Sequence, residues 1–337
     1  MEILRASNKS FPSLWNNLLV KDGLGFPLYS CLNSIYYQKY LDQTLFTDQS
    51  FLITNDAGPI AGLRISSSLG ENGVTNINAF GLPTTYLESS KAGVRAKKEA
   101  FSIIKNEVNI ICSQIDKWKW QHREGLEQGN ISQFGRHLLK INAQATFKWT
   151  QIIDLNQDEQ LLFSRLSKSF RANVNWGRKN INLKIIDAAE ITITHLLQFQ
   201  ELHITASGQK TRSDESWKCQ FDLIKNAEAF LIFGYLSGEL VTAALFLHSK
   251  LYCFYGVSAS QREYFDNPIS HSLLWEAVLH AKNLGCTVFD LAGQDFPADL
   301  PAPSKKQLSI SAFKRGFGGV THAQLILSLN SIDHLND

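Results

Sequence analysis

"AFLIFGYLSGELVTAALFLH", residues 229–248, is the stretch whose reading decides the fold. It is long enough to cross a bilayer as one apolar helix. Ser237, Gly238 and Glu239 interrupt it midway with turn chemistry and a charge, which fits a hairpin of two buried strands. The reading is therefore a strand from Phe230 to Tyr235, a turn at Ser237-Gly238 and a second strand from Leu240 to His248. "KLYCFYGV" (250–257) adds a third strand and makes an antiparallel meander. A polar loop follows, then "NPISHSLLWEAVLHAKNLG" (267–285), with Leu273, Leu274, Ala277, Val278 and Ala281 at helical spacing and Gly285 placed as a C-cap. "CTVFDLAG" (286–293) returns as a strand.

The first half repeats this plan. "SFLIT" (50–54), a turn at "NDAG" (55–58) and "PIAGLRISSS" (59–68) predict a hairpin, with "TNINAFG" (75–81) as its third strand. A loop containing Pro83 leads to a helix over about residues 92–112, and "KWKWQHR" (117–123) alternates as a strand. Matching elements lie roughly 175 residues apart, a spacing that suits a duplicated domain and is too long for a solenoid repeat. The fold class expected is α/β (α+β): two tandem domains, each a mixed, mostly antiparallel sheet with helices on both faces. The boundaries expected are 1–152, together with a closing strand at about 320–337, for the first domain, and 153–319 for the second.

Composition agrees with two globular domains. The chain has 337 residues, 44% of them hydrophobic and 19% charged, enough to bury a core in each half. Lys and Arg number 33 against 31 Asp and Glu, so a site for phosphate or nucleic acid has to be local. Five separated cysteines with no CxxC pair read as free thiols, and no metal site is expected. "MEILRASNKSFPSLW" (1–15) lacks the apolar run of a signal peptide, and the expectation is a cytoplasmic protein without a transmembrane segment.

Between the halves, Asn156 or Asp158 can cap a helix whose Leu162, Leu166, Phe170 and Val174 form one apolar stripe. Another face carries Lys168, Arg171, Asn175 and Lys179, and Arg165 to Lys184 holds cations without an acid. Near the end of the chain, "SAFKRGFGG" (311–319) puts Lys314 and Arg315 between an aromatic residue and glycines, as a turn that closes the second copy before a last strand, "THAQLILSL" (321–329).

Strand, hairpin, third strand, helix and strand is the order of the GCN5-related acyltransferase (GNAT) core. Duplicated, opened in its second copy by "SFRANVNWGRKN" (169–180) and closed by "ISAFKRGFGG" (310–319), the chain resembles the FemAB-like transferases. "LHITASGQKTRSDESW" (202–217) and "REYFDNPISHSLLWEA" (262–277) carry the likeness further. It implies transfer of an acyl or aminoacyl group to an amine of a sugar-containing or nucleotide-linked cell-envelope precursor. The donor implied is aminoacyl-tRNA or acyl-CoA, neither tightly bound. Partners would be a sugar or nucleotide-sugar acceptor and charged tRNA, with no DNA. Two departures stand out. No heptad arm is present, and the loop "SASQREYFDNPISH" (258–271) lacks the glycines that hold a pyrophosphate in acetyl-CoA enzymes. Other readings are an acetyl-CoA-dependent sugar N-acetyltransferase and a non-catalytic sugar-nucleotide-binding protein.

Acyl transfer to an amine needs stabilisation of an oxyanion more than it needs a protein nucleophile. The resemblance places Lys314 beside the reacting carbonyl with Phe313 packed next to it; a solvated lysine in a glycine turn is the alternative. Such a charge contributes about 3 to 4 kcal/mol in comparable sites. His203 or Asp290 is the proton acceptor expected. Arg171 and Asn175 on the basic helix, Arg212 with Thr211, Arg262 in the loop, and His271 are the remaining substrate-binding candidates. A solvated helix face for Arg171 and Asn175, a carbonyl cap for His203 and a helix-start position for His271 are the plainer alternatives.

Overall fold

The computed structural model describes residues 1–22, 25–124 and 130–331. The chain divides into two compact units, one of Met1–Lys148 with the residues from Ala323 onward, the other Trp149–His322. The first contains β1 (Glu2–Arg5), α1 (Phe11–Asp22), α2 (Cys31–Tyr40), β2 (Phe46–Asp48), β3 (Phe51–Asn55), β4 (Gly58–Arg64) and β5 (Ser66–Leu69). It continues through β6 (Thr75–Asn78), β7 (Thr85–Glu88), α3 (Val94–Ser113), β8 (Trp118–Glu124), α4 (Gln133–Lys140) and the start of β9 (Gln144–Asp154). The second takes the end of β9, α5 (Glu159–Ser164), α6 (Lys168–Asn180), β10 (Ile181–Ile186), α7 (Ile193–Ser207) and α8 (Asp214–Lys225). After these come β11 (Ala229–Leu236), β12 (Glu239–His248), β13 (Tyr252–Ser260), α9 (His271–Asn283), β14 (Val288–Gln294), α10 (Lys305–Gly316) and β15 (Val320–Asn330), which ends in the first unit.

From β1 to β9, and again from β10 to β15, the chain runs through a strand, two helices, a meander, a helix, a strand, a helix and a last strand, with α5 and α6 between the two series. The first unit splits its meander between two sheets, β1-β3-β4-β7 and a second that includes β2-β5-β6-β8 with β8 paired to β15. The switch is at Ile65, between β4 and β5, where the buried Ser50 hydroxyl takes up both main-chain groups of Ile65 at 3.1 Å. "PIAGLRISSS", expected as one strand, is two for this reason. β7 lies within the segment expected as a loop. Phe51, Ile53, Ile60 and Leu63 pack against Ala100, Ile104, Val108 and Ile111, the one apolar stripe of α3.

In the second unit the sheet runs β10-β11-β12-β13-β14-β9. The hairpin of residues 229–248 is present as β11 and β12, each buried over most of its length. Its turn has Ser237 and Gly238 at positive φ, 51° and 89°. Phe230, Ile232, Ala244 and Phe246 face Leu274, Ala277, Val278 and Ala281 of α9 in one core. No helix among the described residues is long and apolar enough to cross a membrane. Cys31, Cys112, Cys219, Cys253 and Cys286 are all free thiols.

Candidate active site

The geometry of the second unit begins where β13 and β14 part. They pair in parallel only at Tyr252–Val288, Cys253–Phe289 and Phe254–Asp290, and β13 then continues to Ser260 without its neighbour. Two irregularities mark the opening. In β13 the register against β12 slips between Leu245 and Phe246, leaving Gly256 as an extra, exposed residue of a bulge. In β14 the register against β9 slips between Asp290 and Gly293, and Ala292 takes φ 66°.

Asp290 holds that second bulge. Its carboxylate is fully buried and accepts from Tyr252 Oη at 2.6 Å, from the Ala292 main-chain N–H at 2.7 Å and from Thr150 Oγ1. With both oxygens engaged and no surface exposed, Asp290 is not placed to take a substrate proton. Its bond to the Ala292 N–H holds the bulge of β14, one residue before the Gly293 carbonyl.

Onto that carbonyl comes Lys314, whose Nζ donates to Gly293 O at 2.8 Å. Lys314 belongs to α10 and not to a turn. Ser304 caps this helix in a reciprocal pair with Gln307, and the "SAFKRG" half of the motif forms its last turns. Burial lowers the pKa of Lys314, and the nearby carboxylates of Asp290 and Asp295 act in the opposite direction. Arg315 is used locally, donating to Gln294 Oε1 at 3.0 Å and lying over Phe296.

The glycines of the motif serve packing. A Cβ on Gly316 would run into the ring of Phe170, and one on Gly318 or Gly319 would meet the main chain of Arg165 or Ile152. Gly318 and Gly319 also have φ of 80° and 77°, which confines the actual turn to the residues after α10. Gly316 O accepts from Ser167 N at 3.0 Å. The single basic helix expected here is accordingly two, α5 and α6, with Ser167 as a new N-cap. Arg171 bridges the break, donating through Nη1 to Ser164 O at 2.8 Å and Leu166 O at 2.5 Å. That nitrogen caps the end of α5, a role that is neither the phosphate contact nor the solvated helix face expected of it.

Phe313 and His271, expected separately as binding residues, are in contact. The His271 ring lies 4.6 Å from Phe170, 5.2 Å from Phe313 and 6.0 Å from Phe317, centre to centre. Its Nε2 meets Asn173 Nδ2 at 3.2 Å, and burial lowers its pKa. Asn173 and Phe170 were not read as site residues from the sequence; nothing distinguishes them there from any other position on the helix. Asn175, two residues on, is exposed. Gly177 seats α6 against the first turn of α9, since a Cβ there would strike Ser272 Oγ. The N-terminus of α9 is thereby covered by α6.

His203, Thr211 and Arg212 form a second cluster at the α7–α8 turn. Arg212 Nη1 donates to His203 Nε2 at 2.7 Å and to Thr211 Oγ1 at 3.3 Å, and the rings of His203 and Trp217 stand 5.5 Å apart. Burial first, and then the Arg212 charge, push His203 down to about 4. Its Nε2 lone pair already accepts a hydrogen bond, so as placed it is not available as the proton acceptor. Arg262 is exposed on a short turn between β13 and α9. Among the described residues, no group of His, Cys, Asp and Glu side chains is arranged to hold a metal.

By sequence, no family model and no curated protein matches. Solved structures do. FemX superposes with a TM-score of 0.72 at 13% identity, covering 97% of each chain. The chain has the FemX fold. L-PGS from Bacillus licheniformis follows at a TM-score of 0.56 and 10% identity, covering 97% of this chain and 93% of its own. A conserved protein of unknown function from Bacteroides thetaiotaomicron VPI-5482 matches at 0.58 and 8%, covering 95% and 96%. The fold class expected from the sequence, two tandem α/β domains, is thus borne out, and the likeness to FemX is one of fold.

Proposed function

We propose that the protein is an aminoacyl- or acyltransferase of cell-envelope assembly, acting on an amine of a sugar-containing or nucleotide-linked precursor. The observation that carries this reading is the position of Lys314. It is a partly buried cation held at the open end of the β13–β14 pair by the Gly293 carbonyl, next to a bulge that the buried Asp290 carboxylate holds. The exposed Gly256 bulge lies on the other strand of the same opening. The acceptor amine attacks the donor carbonyl, forming the C–N bond, and the charge on the tetrahedral oxygen is offset by the Lys314 ammonium. Collapse breaks the C–O bond of an aminoacyl ester, and the proton lost by the amine ends on the departing hydroxyl.

Among donors, aminoacyl-tRNA is favoured over acyl-CoA. A pyrophosphate normally sits on exposed N–H groups at a helix N-terminus, and α6 covers that end of α9 through Gly177 and Asn173. The test offers charged tRNA and acyl-CoA pools separately with amino-sugar nucleotides and reads product masses. Transfer from charged tRNA is expected, and transfer only from acyl-CoA would overturn the choice of donor. Lys314→Ala should lower kcat about 10²- to 10³-fold, the usual weight of one oxyanion-stabilising group. Wild-type turnover in that variant would remove Lys314 from the mechanism.

A further inference from the structure

The first unit contains a cleft of about 330 Å³ between α3, α4 and the sheet, within the lower part of the size range of small-molecule sites. Trp118 and Trp120, two apart on one face of β8, and Leu329 of β15 line it from the sheet. Val108 and Cys112 of α3 and Leu138 and Ile141 of α4 line it from the helices. Trp120 presents only its ring, because its indole N–H is donated to Thr84 Oγ1 at 2.8 Å. Cys112 is apolar lining and not a nucleophile, since burial pushes its thiol up to about 12.

Positive charge is gathered at one edge. His137 lines the cleft from α4, and its ring meets Phe101 edge-on at 5.8 Å. Lys105 lies over the same Phe101 ring. Burial lowers the pKa of His137, and the charges of Lys105 and Lys140 lower it further. Neither lysine belongs to any of the ion pairs among the described residues. The acid in the lining, Asp116, comes from the turn between α3 and β8 and does not contribute to the His137 shift.

We propose that this cleft is a binding site for a small apolar molecule carrying one anionic group, of the medium-chain carboxylate kind. The alkyl body would lie on the two indoles, and the carboxylate would reach the His137–Lys105–Lys140 edge. That edge has two cations crowding one imidazole, and an anion there relieves their repulsion. The site is separate from the reaction centre described above and does not depend on the reading of it.

Decanoate is the probe, titrated into the full chain with tryptophan fluorescence and calorimetry as readouts. Saturable one-to-one binding is expected, with decanol about tenfold weaker for want of the charge-assisted contact. Cys112→Trp, which fills the cleft, should abolish binding. Lys105→Glu, at the edge, should weaken decanoate about tenfold and leave decanol unchanged. If Cys112→Trp does not fold, the Lys105→Glu comparison decides alone. Absence of saturable binding, equal affinity for decanoate and decanol, or an unaffected Lys105→Glu variant would overturn the proposal.

Discussion

The two units handle the same structural opportunity in opposite ways. In each, a parallel strand pair runs for three register positions, Thr75–Trp118 to Ile77–Trp120 in the first and Tyr252–Val288 to Phe254–Asp290 in the second. In the first unit the chain turns back at once, and Thr84 bridges to His122, so the space beside β8 is filled. Thr84 Oγ1, His122 and Glu124 form a buried chain at 2.9 and 2.8 Å, with Trp120 and Ser132 donating into it. In the second unit β13 continues through the Gly256 bulge to Ser260, the strands part, and a cation comes to the gap. The lesson is that a duplicated fold supplies two openings, and side chains decide which is closed as core and which is left open beside a cation.

The strongest way to break this contrast is at Glu124. Burial alone would raise its pKa, but hydrogen bonds and charge from His122 and hydrogen bonds from Ser132 outweigh it and leave the carboxyl lowered. Glu124→Ala strands His122 and the Ser132 N–H in the core, and the expected loss is about 3–5 kcal/mol in urea unfolding at neutral pH. Transfer by the fraction still folded should keep its wild-type kcat. A stable variant with impaired transfer would show that the filled opening takes part in the reaction after all.

Gly316 tests the other side of the contrast, that the second opening is built by close packing of α10. Gly316→Ala forces the Phe170 ring away from His271 and Phe313. Overpacking of this kind costs about 1–3 kcal/mol. A second substitution, Phe170→Leu, should recover part of the loss, which a double-mutant cycle measures. Simple additivity of the two would mean that they do not meet.

These residues also mark what one sequence can and cannot disclose. The 229–248 hairpin was legible because two apolar strands and a polar, glycine-containing turn are adjacent in the chain. Lys314 was legible only through resemblance, and its helix was mistaken for a turn because Gly316 looks like a breaker when Phe170 is out of view. The break between α5 and α6 was hidden for a physical reason. Leu162, Leu166, Phe170 and Val174 keep a four-residue step through it, while the bonds that fix it come from Gly316 O and from Arg171. Asp290 and His203 were expected as alternative proton acceptors. The hydrogen-bond partners that occupy their acceptor atoms lie far along the chain or depend on the folded turn.

A smaller effect should appear in the pH profile of the second unit. In the proposed role Lys314 can offset an oxyanion only while charged, so activity should fall as pH rises through its pKa, and burial brings that limb below the ordinary lysine range. Asp295 is one of two carboxylates that oppose the burial effect. Asp295→Asn should therefore move the alkaline limb further down in pH, as read from kcat. An unmoved limb would mean that another group sets it.

The smallest effect expected is at His203, and it separates the α7–α8 cluster from the reaction centre. Its folded pKa, about 4, lies below the ordinary histidine value of 6.5. Between those values the unfolded chain binds more protons than the folded one, so stability contributed by neutral His203 is present above about pH 6.5 and declines as pH falls toward 4. Arg212→Ala removes both a donor to the neutral ring and a like charge. The His203 pKa should rise in that variant, followed by imidazole resonances in NMR, and the acid-side slope of thermal stability should flatten. If His203 were instead the proton acceptor of the reaction, the acid limb of kcat would move up with it. A limb that stays in place while the resonance shifts leaves His203 holding a turn.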